Sequence, residues 1–548
     1  MAASACSLSH SIAPCQEACP VGIDVPRYIR YIRQGKFSEA LAVIRERIPF
    51  PAICGYACVH PCEAKCARNQ LDQPVAIRLL KRAAEEEGGK AERKAGGSTS
   101  TGKKVAVIGS GPCGLTAAYY LARKGHQVTV YEAQPEPGGM MRYGIPPYRL
   151  PREVLDREIA GIKEAGVEIK TGQRIESLAG LKNQGYDAIL LACGSWQGAR
   201  LGIEGEDLPG VREGLSFLRE VNSGERPQVG RKVGVIGGGN TAIDAARTAV
   251  RLGAKEVTIL YRRTREEMPA SFEEIEGALE EGVKIEFLVA PVRIKQQDGA
   301  LEITCTKMKL EGKDKDGRPR PVPIPGSEFN LTFDNIIIAI GQVPDIPPGW
   351  GLEVKEGRLL VKEGGQILNQ EGLFAAGDIV TGPASIIEAI AQGREAAQAI
   401  DRFLGGDGRI EEKLLPQEEE EGAEPELKRG VERVYVHNLP LRQRMTSFAT
   451  VELGYDKSAA IKEAKRCLSC DIRAYRVEVD GQACKECGYC SEICSLGVFA
   501  PADYFNDRGY KPMVAARSEK CIGCLDCFFI CPDFAINIQK LAQGDGIK

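Results

Sequence analysis

The sequence predicts an α/β fold with two dinucleotide-binding units, preceded by a helical cysteine-rich domain and followed by an α+β cysteine-rich domain. Two glycine-rich turns, each between an apolar strand and a helix, predict the two units. Two cysteine runs of the CxxCxxCxxxC type near the C-terminus predict the α+β domain. With 548 residues the chain is long enough for three or four domains.

Charge, hydropathy and cysteine usage exclude several classes of protein. The formal net charge of -3 gives no support for nucleic-acid binding. No apolar run approaches the roughly 18 residues of a membrane span, and the N-terminus has no signal-peptide core, so we expect no membrane insertion and a cytoplasmic location. Sixteen of the 20 cysteines are grouped like metal ligands, which indicates a reducing compartment rather than disulfides.

The first glycine-rich turn follows the apolar strand 105–108. Gly109, Gly111 and Gly114 form a GxGxxG pattern, in which backbone approaches a pyrophosphate at a helix N-terminus. Glu132 lies about 20 residues further on, at the end of the next strand. In dinucleotide-binding units an acidic residue at this position binds the ribose hydroxyls. An ordinary tight turn is the alternative, but the strand, the helix and the acid supply the context that the motif requires.

A second unit of this kind spans residues 232–263. Its second strand ends in Arg262 and Arg263 instead of an acid, which predicts a phosphorylated ribose and favours NADP(H) over NAD(H). The alternative is that these are two surface arginines, because ribose discrimination often needs residues that a sequence does not place. The predicted nucleotide-binding residues of this turn are Gly237, Gly239, Asn240 and Thr241.

The C-terminal cysteines are spaced as in bacterial ferredoxins with two 4Fe-4S clusters. Three thiolates of each run bind one iron-sulfur cube and the fourth binds the neighbouring cube. The first run carries Ser495 where a proline is usual. Zinc knuckles are the alternative, although zinc sites usually pair two CxxC units. The predicted ligands are set C, formed by Cys484, Cys487, Cys490 and Cys531, and set D, formed by Cys521, Cys524, Cys527 and Cys494.

Two further stretches carry a family resemblance. With LFAAGD at 373–378, the chain resembles flavoproteins that have an NAD(P) domain inserted into an FAD domain. The run GGGNTAIDAARTAVRLGAKEVTILYRRTREEMPA is similar to the glutamate synthase small subunit and its relatives, which include the flavoprotein end of dihydropyrimidine dehydrogenase and the large subunit of the bifurcating NADH-dependent ferredoxin:NADP oxidoreductase. The resemblance implies that Gly377 and Asp378 hold the flavin ribityl chain and that Gly139 and Met140 lie in a loop around FAD.

Disulfide reductases of this fold release electrons through a dithiol near the flavin. Here Cys113, Cys193 and Cys305 stand alone in the flavoprotein block, so we expect them to be packing thiols. The resemblance instead places the outlet in the N-terminal domain, which in relatives holds two 4Fe-4S clusters.

The N-terminal ligands are implied by the same resemblance. Relatives carry a CxxC pair at the N-terminus. In this chain the matching pair, Cys467 and Cys470, comes after the flavoprotein block, so the chain is expected to return to its own N-terminal domain. Relatives complete the second cluster with a Glu or Gln where this chain has Lys81, which cannot ligate iron, so Cys54 is the expected replacement. Alternatively, the late CxxC pair is a separate zinc or dithiol pair, or contacts the ferredoxin tail. The implied ligands are set A, formed by Cys15, Cys66, Cys467 and Cys470, and set B, formed by Cys19, Cys54, Cys58 and Cys62.

These inferences divide the chain into domains and two polar linkers. Both linkers are predicted to be solvated tethers. The predicted segments are the helical N-terminal domain at 1–83, a linker at 84–103, the FAD domain at 104–195 and 335–404, the NAD(P)H domain at 196–334, an acidic linker at 405–430, a return segment at 431–474, and the ferredoxin-like domain at 475–548.

The predicted function is that of an NAD(P)H-dependent oxidoreductase subunit. It would transfer electrons between NADP(H), FAD and four 4Fe-4S clusters, to or from a partner redox protein or catalytic subunit, with no side-chain acid or base required. The alternatives are the glutamate synthase small subunit, against which the ferredoxin tail counts, and an electron-bifurcating NADH/ferredoxin:NADP oxidoreductase subunit. A non-catalytic electron-wiring subunit is a further alternative, against which the intact glycine motifs count.

Overall fold

The computed structural model describes residues 12–89, 99–314, 317–355, 357–416, 428–472 and 475–541. These residues form two five-stranded parallel sheets, a four-stranded antiparallel sheet and two cysteine-rich domains. No helix in the described ranges has both the length and the apolar character needed to cross a lipid bilayer.

The N-terminal domain is helical. Asp24 caps the second helix by accepting a hydrogen bond from the Arg27 backbone at 3.2 Å, which satisfies a donor that the first turn leaves unpaired. Tyr28 and Ile32 of this helix are fully buried in a core that also contains Ile53. The helices are Pro14–Glu17, Val25–Arg33, Phe37–Arg45, Pro51–Ala57, Pro61–Ala64 and Ile77–Glu87, with a 3-10 turn at Ala67–Gln70.

The last of these helices extends beyond the predicted domain boundary at residue 83. Glu85 is buried, and Glu86 accepts a hydrogen bond from Arg82 at 2.7 Å. The prediction that the linker starts at residue 84 was therefore wrong, because these charged residues have partners and remain helical. Residues 90–98 of the predicted linker lie outside the described ranges.

The first parallel sheet takes its edge strand from far along the chain. Leu373–Ala375 pairs with Ala188–Leu191, so the second unit is inserted into the first, as the resemblance implies. Helices Pro112–Arg123 and Ile386–Phe403 pack against each other beside this sheet. The strand order is Leu373–Ala375, Ala188–Leu191, Lys104–Ile108, Gln127–Tyr131 and Glu168–Lys170.

The second parallel sheet corrects one predicted boundary. Strand Asn335–Ile338 pairs with Lys232–Ile236 and Val211–Glu213. The prediction that the FAD domain resumes at residue 335 was wrong, because this strand belongs to the second sheet. An apolar strand is compatible with either sheet, since both are buried on two faces. The strand order is Val211–Glu213, Asn335–Ile338, Lys232–Ile236, Glu256–Tyr261 and Lys284–Phe287.

The remaining elements of the two units surround these sheets. The antiparallel sheet consists of Val289–Gln297, Ala300–Lys313, Pro319–Pro323 and Phe329–Phe333. The other helices are Met140–Tyr143, Arg152–Glu164, Leu178–Asn183, Gly214–Asn222, Asn240–Arg251, Phe272–Glu280 and Asp378–Thr381.

The described part of the acidic linker is packed against the protein. The backbone N–H groups of Leu414 and Leu415 donate to the Glu46 carboxylate at 3.0 and 3.3 Å, and Ile410 is buried. The prediction of a solvated tether was therefore wrong for residues 405–416, because Glu46 holds the backbone of this segment. Residues 417–427, which contain the central glutamate run, lie outside the described ranges.

The return segment lies against the N-terminal domain. Glu463 accepts a hydrogen bond from the Ala76 backbone at 2.9 Å, and Asp471 forms an ion pair with Arg30 at 2.7 Å. After this segment, the C-terminal domain pairs strand Tyr475–Val479 with Ile536–Lys540 and strand Ala500–Pro501 with Met513–Val514, and has short helices at Tyr489–Ile493 and Asp526–Ile530.

Candidate functional site

A cavity of about 490 Å³ opens beside the first glycine-rich turn, where strands of the first sheet end. It brings together most of the residues predicted to bind FAD, although Gly114 is not among its lining residues. The predicted residues that line it are Gly109, Gly111, Glu132, Gly139, Met140, Gly377 and Asp378.

The glycines of the first turn allow close approach of backbone. Gly109 has φ +107°, and a Cβ there would come within 2.4 Å of the Ala192 carbonyl oxygen. A Cβ on Gly114 would come within 2.1 Å of the Gly109 carbonyl oxygen, so this glycine allows the helix to pack on the turn. Gly111 differs, because a Cβ there would meet no atom within 4 Å. It caps helix Pro112–Arg123 and leaves room at the helix N-terminus for a phosphate.

Ser110, which the sequence analysis did not single out, organises this turn. The Glu132 carboxylate accepts hydrogen bonds from the Ser110 backbone at 3.0 Å and from the Ser110 hydroxyl. The same hydroxyl accepts a hydrogen bond from the Gly138 backbone at 2.9 Å. Ser110 therefore joins the turn, Glu132 and the predicted FAD loop.

Asp378 also lines this cavity. Burial raises its pKa to about 7, and its carboxylate accepts a hydrogen bond from the Ala384 backbone at 3.3 Å. A carboxyl group with this pKa can donate or accept a hydrogen bond near neutral pH, which suits a hydroxylated ligand chain. The glycine turn, Glu132 and Asp378 thus fit the parts of FAD, namely its pyrophosphate, its adenosine ribose and its ribityl chain.

Two of the lone cysteines also line the cavity. Burial raises the pKa of Cys193 to about 12 and raises the pKa of Cys113 further above its usual range. A reactive thiol needs a lowered pKa, so the burial of both cysteines fits the expectation of packing thiols. Cys305 is fully buried in another core cluster.

The second glycine-rich turn is built like the first. Gly237 has φ +141°, and a Cβ there would come within 2.1 Å of the Ala339 carbonyl oxygen. A Cβ on Gly238, which the predicted site omitted, would overlap the Tyr261 ring at 2.4 Å. Gly239 is the N-cap of helix Asn240–Arg251.

Side chains of the second turn bind neighbouring segments. Asn240 Oδ1 accepts a hydrogen bond from the Ser271 backbone at 3.1 Å. Thr241 Oγ1 accepts a hydrogen bond from Gln342 Nε2 at 3.4 Å. These contacts fix the turn at the N-terminus of helix Asn240–Arg251, the position that receives a pyrophosphate in such units.

The structure separates the two arginines that were predicted to bind a ribose phosphate. Arg262 is exposed at the end of its strand. Arg263 is buried, donates to the Pro319 carbonyl at 2.8 Å and forms an ion pair with Asp314 at 2.6 Å. Arg263 is therefore engaged with the antiparallel sheet, whereas Arg262 is accessible to a ligand.

The four cysteines of set A border one small cavity, together with Leu468 and Arg68. Burial and the neighbouring thiols of Cys467, Cys66 and Cys470 raise the pKa of Cys15 well above its usual value. The Ser469 backbone donates a hydrogen bond to Cys467 Sγ at 3.5 Å. The return segment thus places its CxxC pair beside the N-terminal cysteines.

Set B surrounds a buried lysine. Lys81 is 4% exposed, and although burial lowers its pKa, the thiols of Cys58, Cys54, Cys62 and Cys19 raise it above the usual range. Cys54 is fully buried, and its own pKa is raised by burial. Lys81 therefore presents an ammonium group to the four thiols of set B.

The C-terminal cysteines separate into the predicted sets. Set C borders a small cavity with Met513 and Asp533, and set D borders another with Gln70 and Ile522. The Met513 backbone donates to Cys484 Sγ, and the Gly523 backbone donates to Cys521 Sγ, each at 3.4 Å. Backbone donors of this kind stabilise the negative charge of cluster thiolates.

The four sets share one donor chemistry, with four thiols in each. In the described ranges, no group of three or more His, Cys, Asp or Glu side chains is placed to hold a single metal ion. Sets A, C and D each place four thiols around a small cavity. This arrangement fits a 4Fe-4S cube, in which each thiolate binds a different iron atom. The positive charge of bound iron would offset the burial that raises the pKa of thiols such as those of Cys15 and Cys66.

Comparisons with known proteins agree with this site. The family described as pyridine nucleotide-disulphide oxidoreductase matches residues 103–393, and the family described as dihydropyrimidine dehydrogenase domain II, 4Fe-4S cluster, matches residues 1–92. FprA from Mycobacterium tuberculosis has a similar fold, with a TM-score of 0.51 and 20% identity over 56% of this chain and 85% of that chain.

Relatives cover most of the chain. NADP(+)-dependent formate dehydrogenase subunit beta from Moorella thermoacetica is 40% identical over 85% of this chain and 71% of its own length. NADPH-Fe(3+) oxidoreductase subunit beta from Geobacter sulfurreducens is 40% identical over 85% of this chain and 75% of its own length. The glutamate synthase [NADPH] small chain from Escherichia coli is 35% identical over 71% of this chain and 88% of its own length. The chain is therefore an NAD(P)H-dependent oxidoreductase of the pyridine nucleotide-disulphide oxidoreductase family, in the group with FAD and 4Fe-4S cofactors that includes the glutamate synthase small chain.

Proposed function

We propose that this chain passes electrons between NADP(H) and a partner protein by way of one FAD and four 4Fe-4S clusters. The large cavity supplies the FAD site, the second glycine-rich turn and Arg262 supply the NADP(H) site, and sets A to D hold the clusters. Bound FAD supplies the conversion between hydride transfer and single-electron transfer. The residues of the chain hold the cofactors in sequence and exclude water between them.

The observation that carries this proposal is a hydrophobic contact between sets A and D. Ala67, Leu468 and Ile522 are buried together, and Cys470 of set A and Cys524 of set D pack against them. This dry contact joins the N-terminal domain, the return segment and the C-terminal domain. It supports the order in which set D follows set A in a chain of redox sites.

One continuous hydrophobic core connects the proposed FAD site with set B, which supports the inner part of the proposed electron path. Met141 lines the large cavity and belongs to the same buried cluster as Cys54 and Cys58 of set B. Cys62 of set B is close enough to Cys15 of set A to contribute to its raised pKa, after burial and the other thiols of set A. We infer the order FAD, set B, set A, set D and set C.

Set C forms the outer end of this path. Cys487 is exposed, in contrast to the buried Cys484 and Cys490 of the same set. Two of the relatives are themselves subunits, of a formate dehydrogenase and of an Fe(3+) oxidoreductase. We propose that a partner subunit exchanges electrons at set C, and that the protein works in the cytoplasm, where its thiols stay reduced.

Anaerobic analysis of the purified chain tests the cofactor count. Four cubes and one flavin correspond to about 16 iron atoms and one FAD per chain. NADPH should bleach the flavin and produce the electron paramagnetic resonance signals of reduced clusters. Replacing Cys54 with Ala should remove one signal and about four iron atoms, and leave the other three clusters. Substantial zinc, or about half the iron, would contradict the proposal.

A further inference from the structure

The second unit contributes part of the wall of the large cavity. Its helix Gly214–Asn222, which follows strand Val211–Glu213 of the second sheet, packs against helix Met140–Tyr143 of the predicted FAD loop. Residues spaced by three share one face of a helix. The residues of this face that line the cavity are Glu213, Ser216 and Arg219, none of which the sequence analysis singled out.

Arg219 differs from the other two residues of this face. The Glu213 carboxylate accepts hydrogen bonds from the Leu215 and Ser216 backbones at 2.8 and 2.7 Å and from the Ser216 hydroxyl at 2.6 Å, so Glu213 and Ser216 satisfy each other. Half-buried Arg219 forms no side-chain hydrogen bond, ion pair or ring contact with any described residue. None of its nitrogen atoms is shut off from solvent, so a ligand in the cavity can reach them.

The charges that line the cavity make this arginine important for an anionic ligand. Arg174, the other basic residue of the lining, pairs with Asp345 at 3.1 Å. The pyrophosphate group of FAD is a dianion, and the N-terminus of helix Pro112–Arg123 offsets only roughly half an elementary charge. Arg219 is thus the one cation of the lining without a carboxylate partner in the described ranges. The acidic lining residues are Glu132, Glu213, Asp345 and Asp378.

We propose that Arg219 binds the pyrophosphate of FAD, so that the second unit completes the FAD site. A guanidinium group binds phosphate through charge-assisted hydrogen bonds from its planar fork. The FAD loop carries the second unit to the phosphate-binding turn, because a Cβ on Gly139 would come within 2.7 Å of the Gly111 Cα, and helix Met140–Tyr143 follows at once. Arg219 can take this role only if the large cavity is the FAD site that we propose above.

Release of FAD from the full-length holoenzyme tests this role. The protein is diluted under anaerobic conditions, and the fluorescence of released FAD gives the dissociation constant. Arg219→Met should raise this constant by about 10- to 100-fold, because it removes charge-assisted bonds to the pyrophosphate. Arg219→Lys keeps the charge but loses the planar fork, so its constant should lie between those of the wild type and Arg219→Met. If Arg219→Met does not fold, Arg219→Gln replaces it with a neutral polar side chain and should show the same loss.

Arg212→Met is the matched control, because Arg212 lies just before the same helix but pairs with Glu220 at 2.6 Å and does not line the cavity. It should keep the wild-type affinity for FAD, and an equal loss in the Arg212 and Arg219 variants would overturn the proposal.

The midpoint potential of the flavin is the second readout. The pyrophosphate carries the same charge in oxidised and reduced FAD, so Arg219→Met should leave this potential unchanged. A lowered potential with unchanged affinity for FAD would place Arg219 against the flavin ring and overturn the assignment, as would wild-type values of both quantities. A wild-type chain that binds no FAD would instead contradict the proposed function.

Discussion

Gln70 of the N-terminal domain and Ser495 of the C-terminal domain share two hydrogen bonds. The Ser495 backbone N–H and hydroxyl donate to Gln70 Oε1 at 3.1 and 2.6 Å, and Gln70 Nε2 donates to the Ile493 carbonyl at 2.7 Å. Ser495 follows the last cysteine of its run, where the second run carries Pro532. A proline has neither an N–H group nor a hydroxyl. The departure from the ferredoxin pattern therefore supplies a contact that holds set D beside set A.

The substitution Ser495→Pro should loosen this contact and slow electron transfer between sets A and D. It removes two hydrogen bonds, each worth about 1 kcal/mol. Flavin reduction by NADPH should keep its wild-type rate. Rapid-freeze electron paramagnetic resonance after mixing with NADPH would resolve the two sets.

Ser495→Ala is the control for this prediction. It keeps the backbone N–H and loses only the hydroxyl bond, so its rate should lie between those of the wild type and Ser495→Pro. Transfer at the wild-type rate in the proline variant would show that Gln70 does not hold the two domains together.

Lys81 should raise the reduction potential of the cluster in set B. A positive charge stabilises the reduced, more negative state of a cluster. At an effective dielectric constant of about 20, a unit positive charge about 6 Å from a cluster makes its one-electron reduction more favourable by about 3 kcal/mol. This energy corresponds to a rise in reduction potential on the order of 100 mV. Lys81→Met should therefore lower this potential by up to that amount in a redox titration followed by electron paramagnetic resonance.

Lys65→Met is the matched control, because Lys65 lies between Cys62 and Cys66 in the sequence but is exposed. Solvent screens its charge, so its replacement should shift the potential far less. Equal shifts in the two variants would show that burial of Lys81 gives it no special influence.

Arg262 and Arg263 should have different roles. Arg262→Ala should weaken NADPH binding by about 10- to 100-fold with little effect on NADH, because it removes charge-assisted bonds worth about 1.5 to 3 kcal/mol to a 2′-phosphate. Arg263→Ala should instead lower thermal stability, because it removes a buried guanidinium group together with its ion pair to half-buried Asp314, and should affect both nucleotides alike. Equal loss of NADPH and NADH in the Arg262 variant would contradict this assignment.

The sequence predicted local patterns well and distant partners less well. The glycine turns and the C-terminal runs are defined by short spacings, and the structure brings their residues together. Set A was reached through the resemblance, because no spacing relates Cys15 to Cys467. The partner of Arg263 was not predictable, since Asp314 is distant in sequence and follows strand Ala300–Lys313 of the antiparallel sheet. Strand Asn335–Ile338 was assigned to the wrong sheet for the same reason, because strand pairing is decided by distant segments.

Removal of the C-terminal domain should stop electron delivery to the partner. A chain that ends after Ile472 keeps both glycine-rich turns, sets A and B, and the ion pair between Asp471 and Arg30. A later cut would leave strand Tyr475–Val479 without its partner strand Ile536–Lys540. The truncated protein should still bind FAD, and NADPH should still bleach its flavin.

The truncated chain should also reduce a small artificial acceptor, because set A would become accessible where Ile522 now covers Leu468. Its rate with the physiological partner should fall to background. The full chain with Cys487→Ala is the companion test, since it disrupts set C while the contact between Gln70 and Ser495 remains. If the truncated protein served the partner at the full rate, set C would be an entry point for a different donor, and the proposed order of the clusters would be wrong.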